Sequence, residues 1–337
     1  MSETLKAPFP YWGGKRKVAA EIWKRFGNVD NYVEPFFGSG AVLLGRDGPF
    51  ATETVNDADG LLSNFWRALQ ADPDAVAKFA DWPVNENDLH ARHAWLVGQK
   101  DSLQAKLEGD PDYFDVKIAG WWVWGTACWI GSGFCSGNGP WHVTDVAGTR
   151  QLVHIGNQGQ GVNRQLVHVG DQGRGVEHKR PVIAGPAGGN APLPADEDLR
   201  HYFLQLAERL RRVRVCCGDW TRVCGPSVTI NHGTTGVFLD PPYADTAKRR
   251  KNLYRKDSEL VAHDVRKWAI EQGADPLMRI CLAGYAHEHE MPNDWKVFAW
   301  NAGEGYGVQA DVRSGNGKCE RLWFSPACLD PEPSLFG

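Results

Sequence analysis

The stretch Asn31-Tyr-Val-Glu-Pro-Phe-Phe-Gly-Ser-Gly-Ala41 decides the fold. Asn31 to Pro35 reads as a short strand, the glycines that follow as a tight turn, and Ala41 as the start of a helix. Towards the N-terminus, Val18 to Phe26 has helical spacing and Gly27 stops it. Towards the C-terminus, Thr54-Val55-Asn56 reads as a second strand, and Leu61 to Leu69 has helical apolar spacing again. Strand, helix, strand, helix predicts an α/β fold, a parallel sheet with helices on both faces.

The same signal returns late in the chain. Leu199 to Leu210 reads as a helix, Val213 to Cys217 as a strand, and Thr235 to Asp240 as a buried strand ending in an acid. A helix around Glu259 to Glu271 and strands at Met278–Leu282 and Glu320–Phe324 follow. Between the two α/β stretches the pattern changes to a polar helical stretch, the aromatic segment Gly120 to Trp129, and a region rich in Gly, Gln, His and Asn. Inside that region Arg150 to Asn163 is repeated at once as Arg164 to Glu177. Two copies are too few for a solenoid, so they read as a duplicated hairpin or loop, with a linker from Pro181 to Pro194. The expected organisation is a sheet domain in two parts, residues 1–72 and 199–329, split by an insertion at 73–198 that carries the repeat at 150–177, with a tail at 330–337.

The chain has 337 residues, enough for one large or two ordinary domains, with 42% hydrophobic and 23% charged residues. That balance excludes a disordered or fibrous chain. No apolar run approaches a membrane span, and Met1-Ser-Glu-Thr4 lacks a basic segment followed by an apolar one. The expectation is a soluble cytoplasmic protein. A net charge of −4 excludes indiscriminate coating of nucleic acid and demands a local basic patch instead. The eight cysteines lack paired CxxC spacing, which favours reduced thiols over structural zinc. His287-Glu-His289 lacks a third ligand nearby, so no metal is expected.

Three elements carry chemistry. In Phe238-Leu-Asp-Pro-Pro-Tyr243 an apolar run delivers Asp240 to the carboxyl end of a strand, where ligands of open α/β sheets bind. Pro241 and Pro242 stiffen the loop and leave its carbonyls free to accept, so Asp240 and the Pro241 carbonyl can both accept from one amino group. The Tyr243 ring offers a planar base a stacking partner. In the second element, Val33 to Gly40, glycines permit close backbone approach and the helix start offers free N–H groups. Asp57, at the expected end of the second strand, suits ribose hydroxyls. The third, Tyr11-Trp-Gly-Gly-Lys15, suits a pocket for a carboxylate.

Together these elements resemble the Dam-like DNA adenine-N6 methyltransferases, the class in which cofactor motif, recognition insert and catalytic tetrad follow in that order. YWGGK, VEPFFGSGAV, VNDAD and LDPPY correspond to the family's N-terminal element, cofactor loop, ribose-binding strand end and catalytic motif. The resemblance covers residues 5–70 and 200–328 and omits the insert. It implies a Rossmann-like fold and S-adenosylmethionine as cofactor. Tyr11, Trp12, Gly14 and Lys15 would lie by its methionine part and the cofactor loop, with Glu34, Pro35, Phe36, Gly38 and Gly40 around it. Asp57 would hold the ribose, Asp219 would lie near the adenine ring, and Asp240 would face methyl donor and target amine together. Asp240, Pro241, Pro242 and Tyr243 would form the catalytic tetrad. The sequence departs from the family pattern in having Asp59 where Asn is usual and Tyr11 where Trp is more frequent.

The partner implied is double-stranded DNA with a flipped adenine, methylated by a stand-alone enzyme of bacterial or phage type, monomeric or weakly dimeric. Lys248, Arg249, Arg250, Lys251 and Arg255 follow the tetrad and suit phosphates, as does the Arg209–Arg214 cluster. In the insert, Arg174, His154, Gln158, His168 and Gln172 are donors suited to base edges, while core packing accounts for most of the tryptophans. The alternatives are an N4-cytosine or RNA methyltransferase, or a catalytically silent DNA-binding protein of the same fold.

Overall fold

The computed structural model describes residues 5–9, 11, 14–46, 52–110, 112–129, 134–135, 141–146, 149–154, 195–242, 258–286, 288–300 and 320–330. In chain order the elements are α1 (Arg16–Phe26), β1 (Asn31–Glu34), α2 (Ala41–Leu44), β2 (Thr52–Asp57), α3 (Gly60–Ala71), α4 (Pro73–Ala80), α5 (Glu86–Gly109) and α6 (Val116–Cys128). There follow β3 (Trp141–Val146), β4 (Thr149–His154), α7 (Ala195–Leu210), β5 (Val213–Cys217), β6 (Thr235–Leu239), α8 (Ser258–Gln272), β7 (Met278–Tyr285), β8 (Lys296–Trp300) and β9 (Glu320–Phe324). The chain divides into two compact units, one of residues 1–4, 12–58 and 212–337, the other of residues 5–11 and 59–211.

The first unit is built on a seven-stranded sheet ordered β5-β2-β1-β6-β7-β9-β8. The pairs from β5 through β7 are parallel, and β9 runs antiparallel between β7 and β8. The chain winds outward from β1 to β2 and β5, then returns to β6 on the other side of β1. The order therefore reverses between β1 and β6, and a ligand crevice is expected beyond their carboxyl ends.

Helix α1 covers one face. Its Val18, Ala19, Ile22, Trp23 and Phe26 are buried, and Gly27 ends it at φ 58° with its N–H on the Trp23 carbonyl at 2.8 Å. Gly236 lets it approach closely, since a Cβ there would lie 3.0 Å from the Phe26 ring. On the other face Val33, Val237, Leu239, Ile280 and Leu282 pack with Val265 and Ala269 of α8 and with Trp220. Such continuous apolar strands are what a sheet buried on both faces requires.

The second unit is mainly helical. Phe9 meets Phe65, Trp66 and Trp122 with ring centroids 5.0–5.8 Å apart. Asn64 and Asp115 exchange hydrogen bonds of 2.9 and 2.8 Å, tying α3 to the start of α6. The tryptophans of α6 belong to this packing: Trp122 and Trp124 are buried, and the Arg92 guanidinium stacks on Trp82, Trp121 and Trp124 at 4.4–4.8 Å. Lys117 covers Trp95 and Trp121 in the same manner. Ring faces already occupied by the protein's own cations serve the helix packing rather than bases.

The two units divide at 58/59 and 211/212. The reason is packing: α3 lies on α6, and α4 lies on both α6 and α7. Helix α2 is a single turn, shorter than the expected helix. The β3–β4 hairpin takes in only the start of the first repeat; residues 155–177, Arg174 among them, lie outside the described residues.

Candidate active site

Four adjacent parallel strands each deliver a carboxyl group to the same edge of the sheet. β1 ends at Glu34 and β2 at Asp57, while Asp219 stands two residues beyond β5 and Asp240 one beyond β6. Like charges in a row repel, so each acid needs its own partner or must be neutral.

Asp57 accepts from the Gly38 N–H at 2.9 Å, which fastens the cofactor loop to the end of β2. The Phe37 N–H reaches the Asn56 carbonyl at 2.9 Å. The buried Asn56 amide completes the clasp, donating to the Pro35 carbonyl at 3.1 Å and the Gly218 carbonyl at 3.0 Å. Gly38 and Gly40 have φ of 49° and 64°, the left-handed region that favours glycine. A Cβ on Gly40 would lie 2.7 Å from the Phe37 ring. The loop is thus pressed flat by its own glycines. With α2 only four residues long, close approach rather than a helix N-terminus is what the loop offers a ligand.

Asp240 is paired with Lys15. The Lys15 ammonium donates to Asp240 Oδ2 at 2.9 Å, with the lysine side chain 3% and the aspartate 22% exposed. Pro241 is buried and Pro242 half-buried. Glu34 is buried and accepts from the Tyr32 hydroxyl at 2.8 Å. Burial holds its carboxyl well above the usual carboxylate range, and the charges of Asp240 and Asp57 add to that, against the hydrogen bonds from Tyr32 and the Leu43 N–H. Asp219 is exposed and accepts from the Thr221 N–H at 2.9 Å, capping a short 3₁₀ turn. Beside it the rings of Phe36 and Trp220 stack with centroids 6.2 Å apart. A cleft of about 500 Å³ runs from Asp219, Trp220 and Thr221 to Val261, Asp264 and Trp268 on α8.

The structure thus brings together Lys15, Glu34, Pro35, Phe36, Gly38, Gly40, Asp57, Asp219, Asp240 and Pro241 at one sheet edge, with the exposed Gly14 beside Lys15 in the chain. Tyr11 belongs to the second unit, where its ring meets Phe9 at 6.2 Å. Trp12, Tyr243, Lys248, Arg249, Arg250, Lys251 and Arg255 lie outside the described residues. Of the second basic cluster, Arg211 pairs with Glu208 at 3.6 Å, and Arg212 and Arg214 are exposed. Asp59 caps α3, accepting from the Leu61 N–H at 2.9 Å, a structural use for an acid at that position. Sequence reasoning passed over Tyr32, Asn56 and Trp220. Asn56 gave no signal, since it stands in a largely polar strand, Thr52-Glu-Thr-Val-Asn-Asp57. Among the described residues no group of three or more His, Cys, Asp or Glu could hold a metal ion, and no helix is long and apolar enough to cross a membrane.

A doubly wound sheet of this order, with its acids gathered around the switch point, is consistent with a Rossmann-like methyltransferase fold. Residues 11–93 match the family D12 class N6 adenine-specific DNA methyltransferase, consistent with a Dam-like adenine methyltransferase. That match supports DNA methyltransferase activity and DNA as the substrate. No curated protein matches the chain. Methyltransferases of this kind generally use S-adenosylmethionine, and the residues present fit it: carboxylates for hydroxyl and ammonium groups, a glycine cradle that a Cβ would fill, and aromatic rings beside Asp219.

Proposed function

We propose that the protein transfers the methyl group of S-adenosylmethionine to N6 of an adenine flipped out of duplex DNA. The observation that carries the reading is the position of Asp240: it ends β6, the strand paired with β1, whose exit loop lies within the family-matched segment. Glu34, Pro35, Phe36, Gly38 and Gly40 would surround the cofactor, Asp57 its ribose and Asp219 its adenine. Bound there, S-adenosylmethionine supplies a methyl group on a sulfonium, whose C–S electron pair leaves with sulfur as the N–C bond forms.

The protein's part is to prepare the amine. Adenine N6 is a poor nucleophile because its lone pair is delocalised into the ring. Acceptance of its two hydrogens by Asp240 and the Pro241 carbonyl draws the nitrogen towards tetrahedral geometry and frees that pair. The same acceptors stabilise the positive charge that develops, and the surplus N6 proton leaves by way of the Asp240 carboxylate to water. Alignment supplies much of the remaining rate. Tyr243 is the stacking platform for the flipped base. The basic residues at 248–251 and Arg255 would hold phosphates, and the region between β2 and β5, including Arg174 and the repeat, would read the target sequence.

The test is incubation with S-adenosylmethionine and unmethylated duplex DNA, followed by digestion to nucleosides and mass spectrometry. The expected product is N6-methyldeoxyadenosine from the wild type and none from Asp240→Ala, which retains DNA binding. N4-methyldeoxycytidine would overturn the choice of base, and an active Asp240→Ala would overturn the role of Asp240.

A further inference from the structure

We infer that Lys15 acts on the reaction through Asp240, as a positioning residue for the acceptor carboxylate, rather than as a contact of the cofactor's methionine part. The inference rests on the methyltransferase reading above and refines it. Lys15 directly precedes α1, where its carbonyl accepts from the Val18 N–H at 3.0 Å, so its backbone is fixed by the helix start. From there the side chain runs inward to the end of β6, 225 residues away in sequence, and its ammonium is buried on Asp240 Oδ2. A buried cation is costly unless it is paired and hydrogen-bonded, so this contact is a structural commitment, not a loose surface pair.

The chemistry of the contact is specific. A carboxylate that must accept from one amino hydrogen while the neighbouring Pro241 carbonyl accepts from the other has to hold a fixed rotation about its Cβ–Cγ bond. An ammonium on Oδ2 supplies that fixed point and leaves Oδ1 for the substrate amine. Among the described residues Lys15 is the hydrogen-bond donor to Asp240. Lys15 also answers the charge of an acid that, together with Asp57, acts on the neighbouring Glu34. Without it Asp240 is free to turn away from them, and the amine loses an aligned acceptor.

The experiment compares wild type, Lys15→Met, Lys15→Gln, Asp240→Asn and the double variant Lys15→Met/Asp240→Asn. It reads S-adenosylmethionine affinity by calorimetry and single-turnover methylation with both substrates saturating. Misplacement of a reacting group by about 1 Å costs about a hundredfold in rate, and a loss of that order is expected for Lys15→Met with cofactor affinity within about threefold of wild type. Lys15→Gln, which can still donate to Oδ2, should recover part of the rate. In the Asp240→Asn background, Lys15→Met should cost less than about twofold, because residues that act as a unit are non-additive. Loss of cofactor affinity with an unchanged saturated rate would overturn the inference, as would an undiminished penalty in the Asp240→Asn background. A wild type that neither binds the cofactor nor methylates DNA overturns the methyltransferase reading itself, and the role of Lys15 with it.

Discussion

His289 offers a quantitative check on the packing beside β6. It follows β7, the strand paired with β6, and its ring lies over Gly284, where a Cβ would come within 2.6 Å of Cδ2 and Nε2. The edge of Trp323 closes the other side at 5.3 Å, and the residue is 5% exposed. Burial, then the charges of Arg266 and His263, push its pKa down from 6.5 to about 4. The unfolded chain therefore takes up a proton between those values that the folded protein refuses, so stability falls as pH drops through the window from 6.5 to 4. With these values the loss attributable to His289 between pH 7 and pH 5 is about 2 kcal/mol. His289→Gln removes the term. Urea unfolding followed by tryptophan fluorescence at the two pH values should then show the variant losing about 2 kcal/mol less than wild type on acidification, with all other titrating groups cancelling. Equal losses in the two proteins would mean that the imidazole is protonated in the fold, and the account of its burial would be wrong.

Two further predictions concern the cofactor loop. Glu34 has its pKa raised in the folded state, so the stability it contributes is present below the usual carboxylate value and is lost as pH rises through its folded value. Glu34→Gln should accordingly gain in Tm relative to wild type between pH 5 and pH 8, and a difference that does not change with pH would refute a neutral Glu34. Gly40→Ala should cost about 1–2 kcal/mol from the left-handed backbone alone, with a further cost where the new Cβ meets Phe37. Thermal unfolding reads that cost directly, and Gly225→Ala, outside the left-handed region and with open space where its Cβ would stand, serves as the comparison for a backbone effect.

The elements that define the site were legible because they obey simple periodicities. β1 and β6 are short apolar runs ended by an acid and a proline, and α1 has its apolar stripe and a glycine stop; all three stand where the sequence predicts them. β8 was not legible, for its residues are mostly exposed or half-buried, as suits an edge strand, and it carries Lys296 and an exposed Val297 instead of an alternating pattern. The unit boundaries carry no local signal either: α3 and α7 have the same local pattern whichever unit they pack on, and the packing of α3 on α6 and of α7 on α4 decides the matter. The pairing of Lys15 with Asp240 has no local signal at all. It arises from strand order, because α1 and β6 meet only when β6 returns to the side of β1.

The row of acids at the ends of β5, β2, β1 and β6 gives this edge of the sheet a field that favours a cationic ligand. Each acid is satisfied in a different way: Asp219 by the Thr221 N–H, Asp57 by the Gly38 N–H, Glu34 by the Tyr32 hydroxyl, and Asp240 by Lys15. None of these solutions removes more than one negative charge; Lys15 answers Asp240, and Arg222, on the Cys217 carbonyl, stands at the end of β5, so the four acids outnumber the cations. A ligand that arrives with a sulfonium and an ammonium against a single carboxylate relieves this surplus, whereas an anionic ligand would increase it.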